Sequence, residues 1–273
     1  MEEIKKCSYC GKEYILNENV PDFMEESFAK MFKYKPNCNC AKEILDKEWE
    51  EKERKMIKEQ QDAIKKARTK KFESMSIIDN KFKESTFESS DLEESYMKLA
   101  KLYADKFIEK NGTNQGIIFY GNCGTGKTHA SSCIANHLMI NNKGVLVISL
   151  SSYLTKLRTE WSELEIKVID LVKDCDLFII DDLGTESKTE WVMEKIFTLI
   201  DTRYRSGKAM IITTNLKYDK DLNKCEIKKA FGERVRDRIE EMCFPKLVTS
   251  SSKRKSDPDK FAEFLKWYIN IDV

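Results

Sequence analysis

The stretch Gly116–Thr128 constrains the fold of this chain more than any other part of its sequence. Four consecutive apolar residues, 117–120, predict a buried parallel strand. The loop that follows, Gly121–Thr128, fits the pattern G-x-x-x-x-G-K-[ST], and a helical pattern begins directly after it. A strand, a glycine-rich loop and a helix in this order are typical of a P-loop, which binds the phosphates of a nucleotide.

The residue types of this loop suit the binding of a polyphosphate. Glycines allow the dihedral angles that let backbone N–H groups surround phosphates, and the helix N-terminus favours anions. Lys127 is expected to reach the β- and γ-phosphates, and Thr128 to ligate Mg²⁺. The flanking strand and helix argue against a chance match in an ordinary turn. The predicted nucleotide-contacting residues are Gly121, Asn122, Cys123, Gly124, Thr125, Gly126, Lys127, Thr128 and His129.

Length and composition limit the classes of protein that remain. The chain has 273 residues, enough for one α/β domain and a smaller module. Its net charge is +1, so any binding to nucleic acid must come from local patches rather than from an overall field. No apolar stretch is long enough to span a bilayer, and no signal-peptide pattern begins at Met1, so we expect a cytoplasmic protein without a membrane partner.

Four of the nine cysteines form two close pairs near the N-terminus. Cys7 and Cys10 lie in a C-x-x-C motif followed by glycine, and Cys38 and Cys40 form a C-x-C motif. Clustered cysteines in a reducing compartment favour a metal over disulfides, and four thiolates would close a tetrahedral zinc site. Four reduced, free cysteines are the alternative. We predict a zinc-binding docking module over residues 1–41.

A highly charged segment without glycine or proline follows at 42–71. Its acidic residues come early and its basic residues late, which suits the dipole of a helix, and pairs such as Glu48 and Lys52 have the i,i+4 spacing. We predict a long charged helix that links the two domains. A solvated spacer is the favoured interpretation, and contact of its basic end with DNA or a partner is the alternative.

Apolar runs at 145–148, 177–180 and 209–212 predict further strands of an α/β domain over 72–273. A fifth strand is predicted at 244–249, with Pro245 at its start, where a missing N–H is tolerated. Helices are predicted at 91–110, 151–160, 164–173, 188–205, 226–242 and 258–269, the first with Asp91 and Glu94 as its N-cap and capping-box residues. With right-handed crossovers, these elements give a five-stranded parallel sheet flanked by helices, with the phosphate loop at its carboxyl edge.

Polar residues follow two of these strands where catalytic groups would be needed. Asp181 is expected to hold the hydrated Mg²⁺, and Asp182 to polarise the attacking water. Asn215 ends a later strand and is expected to orient that water near the γ-phosphate. Taken singly, each could be an ordinary polar strand end, but the phosphate loop favours the catalytic interpretation.

Together these residues resemble AAA+ ATPases of the bacterial replicative helicase loader family (DnaC/DnaI type, related to the IstB transposition helper). The resemblance covers about 72–250 and rests on the segments 86–87, 121–128, 178–184, 212–215 and 232–239. It implies Asn215 as sensor 1, and Arg238 as an arginine finger that reaches a neighbouring subunit's nucleotide, with Arg234 nearby. Without the resemblance, the charge pattern would favour the interpretation that these arginines are surface residues balanced by neighbouring acids. One departure is Asp182, where glutamate is usual.

The expected function is that of an ATP-dependent loader, which delivers the hexameric replicative DNA helicase onto single-stranded DNA during replication initiation or restart. Hydrolysis of ATP to ADP and phosphate is expected to be slow and to depend on self-association into a ring or spiral and on DNA. The expected cofactors are ATP/ADP, Mg²⁺ and Zn²⁺, and the catalytic residues Lys127, Asp181, Asp182, Asn215 and Arg238. Lys253, Arg254 and Lys255 are candidate phosphate contacts for DNA.

Three other functions fit part of the pattern. An ATP-binding helper of a transposase would act on duplex DNA, although the cysteine module has a readier role in a loader. A P-loop kinase of small molecules would need an arginine-rich lid, which the sequence lacks. A nucleotide switch that hydrolyses little is compatible with the shorter Asp182.

Overall fold

The computed structural model describes residues 5–19, 25–77, 80–160 and 162–250. The chain divides into two compact units, Met1–Ile64 and Lys65–Val273. The boundary falls inside one helix, α2 (Cys40–Met75), which contains the predicted charged segment 42–71. Within the described ranges, each helix is too short or too polar to cross a lipid bilayer.

The first unit has little apolar core. Its strands β1 (Ile15–Leu16) and β2 (Tyr34–Lys35) pair antiparallel, and α1 (Glu26–Phe32) lies between them in the chain. Among the described apolar residues before Phe72, Cys7 is the one that is buried. A unit with so little buried apolar surface needs another source of stability, such as a bound metal.

The second unit is a five-stranded parallel sheet flanked by helices, as the sequence predicts. Its strands are β3 (Gly116–Tyr120), β4 (Val145–Ser149), β5 (Leu177–Leu183), β6 (Met210–Thr214) and β7 (Cys243–Leu247), in the spatial order β4-β5-β6-β3-β7. Its helices are α3 (Asn80–Lys83), α4 (Ser95–Glu109), α5 (Lys127–Ile140), α6 (Leu150–Glu160), α7 (Ser162–Asp174), α8 (Glu190–Ser206), α9 (Glu226–Phe231) and α10 (Glu233–Met242). Every neighbouring pair of strands is parallel.

The strands β3, β4, β5 and β6 contain apolar runs because both faces of the sheet are covered there, whereas the edge strand β7 is partly exposed. Successive side chains of a strand point to opposite faces. On β3, Ile117 and Phe119 pack with residues of α4 and α5, whereas Ile118 packs with residues of α6, α7, α8 and α10. A parallel sheet buried on both sides needs apolar residues at nearly every position, and this explains the four-residue apolar runs.

The edge strand β4 is covered by the segment that follows α2. The backbone N–H of Ile77 donates to the carbonyl of Val147 (2.9 Å), and the N–H of Ser149 donates to the carbonyl of Ile77 (2.8 Å). Within the same unit, Arg68 forms an ion pair with Asp176 (2.9 Å). The two backbone bonds satisfy part of the hydrogen-bonding edge of β4 that would otherwise be exposed.

Two predicted helices differ in the structure. The helix predicted at 91–110 begins only at Ser95, because Asp91 accepts a hydrogen bond from the N–H of Glu93 (2.9 Å) in a local turn and Glu94 makes no side-chain capping bond. The helix predicted at 226–242 is two helices, α9 and α10. Gly232 separates them with φ 84° and ψ 171°, a conformation open essentially only to glycine. The helix predicted at 258–269 lies outside the described residues.

Candidate functional site

The glycine-rich loop connects β3, which lies between β6 and β7 in the sheet, to α5. Gly121, Gly124 and Gly126 adopt positive φ angles of 140°, 78° and 100°, which residues with side chains rarely adopt. Two of these glycines are also needed because the backbone passes close to its neighbours. A Cβ atom at Gly121 would lie 2.4 Å from the carbonyl oxygen of Val248, and one at Gly126 would lie 2.5 Å from the Tyr96 hydroxyl oxygen.

Lys127 and Thr128 open α5 at the end of this loop. The side chain of Lys127 is buried, and its Nζ donates to the carbonyl oxygens of Gly121 (3.0 Å) and Asn122 (2.7 Å). The ammonium group therefore lies across the loop. The Thr128 hydroxyl makes no hydrogen bond within the described residues, so it is available as an oxygen ligand.

Asp181 and Asp182 lie at the carboxyl end of β5. Oδ1 of Asp181 accepts a hydrogen bond from the hydroxyl of Thr213 on β6 (2.7 Å). Asp182 adopts φ 61°, an unusual conformation for a residue other than glycine. Its carboxylate forms no hydrogen bond or ion pair with any residue that the structure describes, so this acid is available to a ligand.

A third carboxylate, which sequence reasoning missed, lies beside these two. Glu186 accepts a hydrogen bond from the N–H of Gly184 (3.0 Å) in the loop after β5. The pKa of Glu186 is raised, mainly because the carboxyl group is buried and also because Asp182 is negatively charged. The carboxyl end of β5 therefore concentrates acidic groups at the edge of the sheet from which the phosphate loop also emerges.

Asn215 follows β6, the strand between β5 and β3. Thr214, the residue before it, is paired with Tyr120 of β3 and with Leu183 of β5. The Asn215 amide makes no hydrogen bond within the described part of the chain. The parallel sheet thus brings the phosphate loop, the two acids and this amide to one edge, where such sheets bind ligands.

His129 is oriented towards a different segment. Its Nε2 lies 2.7 Å from the hydroxyl oxygen of Ser90 and its Nδ1 lies 3.2 Å from that of Ser85, both in the segment before α4. The nearby Asn136 donates to the carbonyl oxygens of Phe82 (2.9 Å) and Ser85 (2.7 Å). These contacts attach the segment that precedes α4 to α5.

Arg238, on α10, binds residues of its own subunit. Its Nε and Nη2 contact Oδ1 of Asp201 at 2.8 and 2.7 Å, and its guanidinium group packs on the rings of Phe197 and Tyr204. The structure therefore does not bring Arg238 together with the phosphate loop of the same chain. Arg234, four residues earlier, is exposed.

The four N-terminal cysteines form a compact cluster in the first unit. The sulfur atoms of Cys7, Cys10, Cys38 and Cys40 all lie within 4.8 Å of one another. Four thiolates around Zn²⁺, with Zn–S bonds of about 2.3 Å, would lie about 3.8 Å apart, so the cluster is compatible with a single zinc ion. Backbone N–H groups of Cys10 and Tyr9 that face Cys7 lower the pKa of its thiol to about 7, which favours the thiolate.

Comparisons with known proteins agree with this geometry. The model of the family described as IstB-like ATP binding protein matches residues 38–258. The replicative helicase loader DnaC of Buchnera aphidicola (subspecies Schizaphis graminum) is 28% identical over 147 residues, which are 52% of this chain and 56% of the relative. The chain thus spans about half the length of the curated relatives that it matches.

Two solved structures share the fold. A crystal structure of DnaI covers 66% of this chain and 95% of its own, with a TM-score of 0.52 and 19% identity. A crystal structure of the DnaC helicase loader covers 63% of this chain and 100% of its own, with a TM-score of 0.52 and 23% identity. At these identities, the two structures support the fold alone.

Replacement of Gly126 by alanine is predicted to weaken ATP binding at least about tenfold, because the new Cβ atom would overlap the Tyr96 hydroxyl and distort the loop. Gly207→Ala is the matched control. Gly207 also has a positive φ (63°), but no atom lies within 4 Å of its added Cβ. The control should lose about 1–2 kcal/mol of stability and keep its ATP affinity in titration calorimetry. Wild-type affinity in Gly126→Ala would contradict this account.

Removal of metal is predicted to unfold the first unit. The purified chain should contain about one Zn²⁺ per molecule by mass spectrometry, and a chelator should make residues 5–64 sensitive to protease because the unit has little apolar core. Cys10→Ser should lose the metal, whereas Cys123→Ser, which changes an exposed cysteine outside the cluster, should retain it. A metal-free chain with a protease-resistant first unit would refute the assignment.

Proposed function

The chain belongs to the family of IstB-like ATP binding proteins, and from this premise we propose that it is an ATPase that loads a hexameric replicative DNA helicase onto single-stranded DNA. One observation carries the ATPase part of the proposal: the phosphate loop, the acids of β5 and Asn215 meet at one edge of the sheet. The similarity to helicase loaders named DnaC supports the proposed role of single-stranded DNA and of the replicative helicase as partner.

The phosphate loop provides the groups that would hold ATP. Its backbone N–H groups and the N-terminus of α5 would surround the phosphates of ATP. Lys127 would exchange the carbonyls of Gly121 and Asn122 for the β- and γ-phosphates, which are stronger acceptors because they are charged. The loop residues proposed to contact the nucleotide are those predicted from the sequence, Gly121–Thr128 together with His129, which would contact it through its backbone because its ring is bonded to Ser85 and Ser90.

The Thr128 hydroxyl and the Asp181 carboxylate fit Mg²⁺, because both are oxygen donors at the same edge of the sheet. When bound, Mg²⁺ would neutralise charge on the phosphates. Asp182 would polarise the attacking water and Asn215 would orient it. The Asp182 carboxylate is short, so we expect slow hydrolysis of ATP to ADP and phosphate.

Arg238 of a neighbouring subunit would supply, in trans, a second cation for the transition state beside Lys127. In this structure Arg238 is bound to Asp201 of its own subunit, so it would have to leave this acid to reach a neighbour's phosphates. Activity would therefore require self-association into a ring or spiral. Because Arg238 must first leave Asp201, we expect a slow basal ATPase rate that increases when subunits assemble.

The first unit would provide the docking surface for the helicase. It exposes large apolar side chains that are candidate contacts for a partner. They include Tyr9 (65% exposed), Leu16 (56%), Met31 (71%) and Phe32 (49%). We propose residues 1–41 as a zinc-stabilised docking module, 42–71 as the linker and 72–273 as the ATPase domain.

Single-stranded DNA would bind through phosphate contacts without reading the base sequence. The end of α2 exposes four lysines, Lys65, Lys66, Lys70 and Lys71. The other candidates, Lys253, Arg254 and Lys255, lie outside the described residues. Because phosphate contacts release counterions, we expect the affinity for DNA to fall steeply as salt concentration increases.

A second candidate function is that of an ATP-binding helper of a transposase, which the family description favours. The two functions differ in the DNA that should stimulate ATP turnover. A loader should respond to single-stranded DNA and to the helicase, whereas the helper should respond to duplex DNA. Stimulation by duplex alone would therefore favour the second function.

Replacement of Arg238 by alanine is predicted to lower the ATPase rate at least about tenfold, because the transition state loses a cation supplied by the neighbouring subunit. The wild-type rate per subunit should increase with protein concentration and with single-stranded DNA, and both responses should disappear in the variant. ATP affinity should change little.

Arg205→Ala is the matched control for this experiment. Arg205 lies on α8 and binds the other carboxylate oxygen of Asp201 (2.7 Å), but it is exposed and has no role in the site. Its turnover should stay within about twofold of the wild type. A slow wild-type rate that is independent of concentration and unchanged in Arg238→Ala would refute the trans mechanism.

A further inference from the structure

The strand β5 is irregular at the position of its two acids. Ile180 pairs with Ile212, and Leu183 pairs with Thr214, so β5 has two residues where β6 has one. This arrangement is a β-bulge, which redirects side chains and often lies next to active sites. The bulged residues of β5 are Asp181 and Asp182.

The backbone of Asp182 is left-handed at this bulge. Its φ of 61° is unfavourable for a residue with a side chain, although aspartate tolerates this region better than most residues. Such a conformation persists only where the surrounding structure maintains it. In this bulge, the neighbouring strand β6 provides the contacts.

One hydroxyl group on β6 contacts both acids. Thr213 Oγ1 donates to Oδ1 of Asp181 (2.7 Å) and accepts the backbone N–H of Asp182 (2.9 Å). Donor and acceptor are both used, so the orientation of the hydroxyl is fixed. The side chain of Thr213 is fully buried, so water cannot replace these two bonds.

The next residue of β6 holds the other end of the bulge. Thr214 Oγ1 donates to the carbonyl oxygen of Leu183 (2.6 Å) and accepts the N–H of Leu216 (3.1 Å). Thr214 therefore fixes the backbone that follows Asp182, whereas Thr213 contacts Asp181 and Asp182 themselves.

We propose that Thr213 is the positioning residue of this ATPase site, where a single hydroxyl orients the Asp181 carboxylate and holds the backbone of Asp182 in its bulged conformation. The bulge determines where the short side chain of Asp182 is directed, so loss of the hydroxyl would affect both acids. The inference rests on the proposed function, because it assigns the two acids to Mg²⁺ and to water.

The test compares variants of the full-length chain at this one position. Thr213→Val has nearly the same shape but no hydroxyl, Thr213→Ser keeps the hydroxyl, and Thr213→Cys has a weaker donor of similar size. Thr69→Val is the matched control, because Thr69 is also buried and its hydroxyl donates to the carbonyl of Lys65 in α2, outside the site. Thermal unfolding identifies any variant that does not fold. If Thr213→Val does not fold, Thr213→Cys decides.

Two quantities are measured for each variant. The first is the Mg²⁺ concentration at which the ATP affinity, measured by titration calorimetry, reaches half of its maximum. The second is the pair of ATPase parameters kcat and KM, determined separately. Thr213→Val should require about tenfold to a hundredfold more Mg²⁺ and lose a similar factor in kcat, with less change in KM at saturating Mg²⁺. Thr213→Ser should stay within about threefold of the wild type, Thr213→Cys should be intermediate, and Thr69→Val should be unchanged.

A folded Thr213→Val with the wild-type Mg²⁺ requirement and the wild-type kcat would overturn the inference. So would a Thr213→Ser variant that is as defective as Thr213→Val, because the shape of the side chain rather than its hydroxyl would then matter. Wild-type protein that binds ATP without turnover would refute the proposed ATPase instead. In that case the Mg²⁺ requirement of Thr213→Val would still decide the role of the hydroxyl.

Discussion

Parallel pairing of β3 with β6 on one side and β7 on the other is the constraint on which this site depends. Because the strands run in the same direction, the phosphate loop after β3 and Asn215 after β6 emerge at the same edge. β7 also brings the carbonyl of Val248 so close to Gly121 that a side chain would not fit there. The two acids join this edge because β5 pairs with β6.

Sequence reasoning predicted the elements with strong local signals. Four of the five strands were evident because parallel strands buried on both faces contain apolar runs. The phosphate loop was evident because its glycines have a fixed spacing. The start of α4 and the break at Gly232 were missed, because a local turn at Asp91 and a single glycine conformation outweigh helical periodicity. The role of Thr213 was also missed, since a threonine at a strand end gives no sign of the bulge that faces it.

The two units owe their stability to different physical sources. The second unit buries two apolar layers against a sheet, whereas the first buries almost no apolar side chain among its described residues and gathers four thiols instead. Metal binding would therefore be coupled to the folding of the first unit but not of the second. This separation suits a protein in which one unit binds a partner and the other binds a nucleotide.

We propose that ATP bound at this edge of the sheet is hydrolysed with the help of Arg238 from a neighbouring subunit. The most direct measurement is the ATPase rate of a mixture of two variants, Lys127→Ala and Arg238→Ala, each of which is expected to be strongly impaired alone. The account predicts that the mixture regains a clear fraction of wild-type activity, because an intact phosphate loop in one subunit can receive Arg238 from the other. A mixture no more active than the sum of its separate components, at concentrations where the wild type is active, would contradict it.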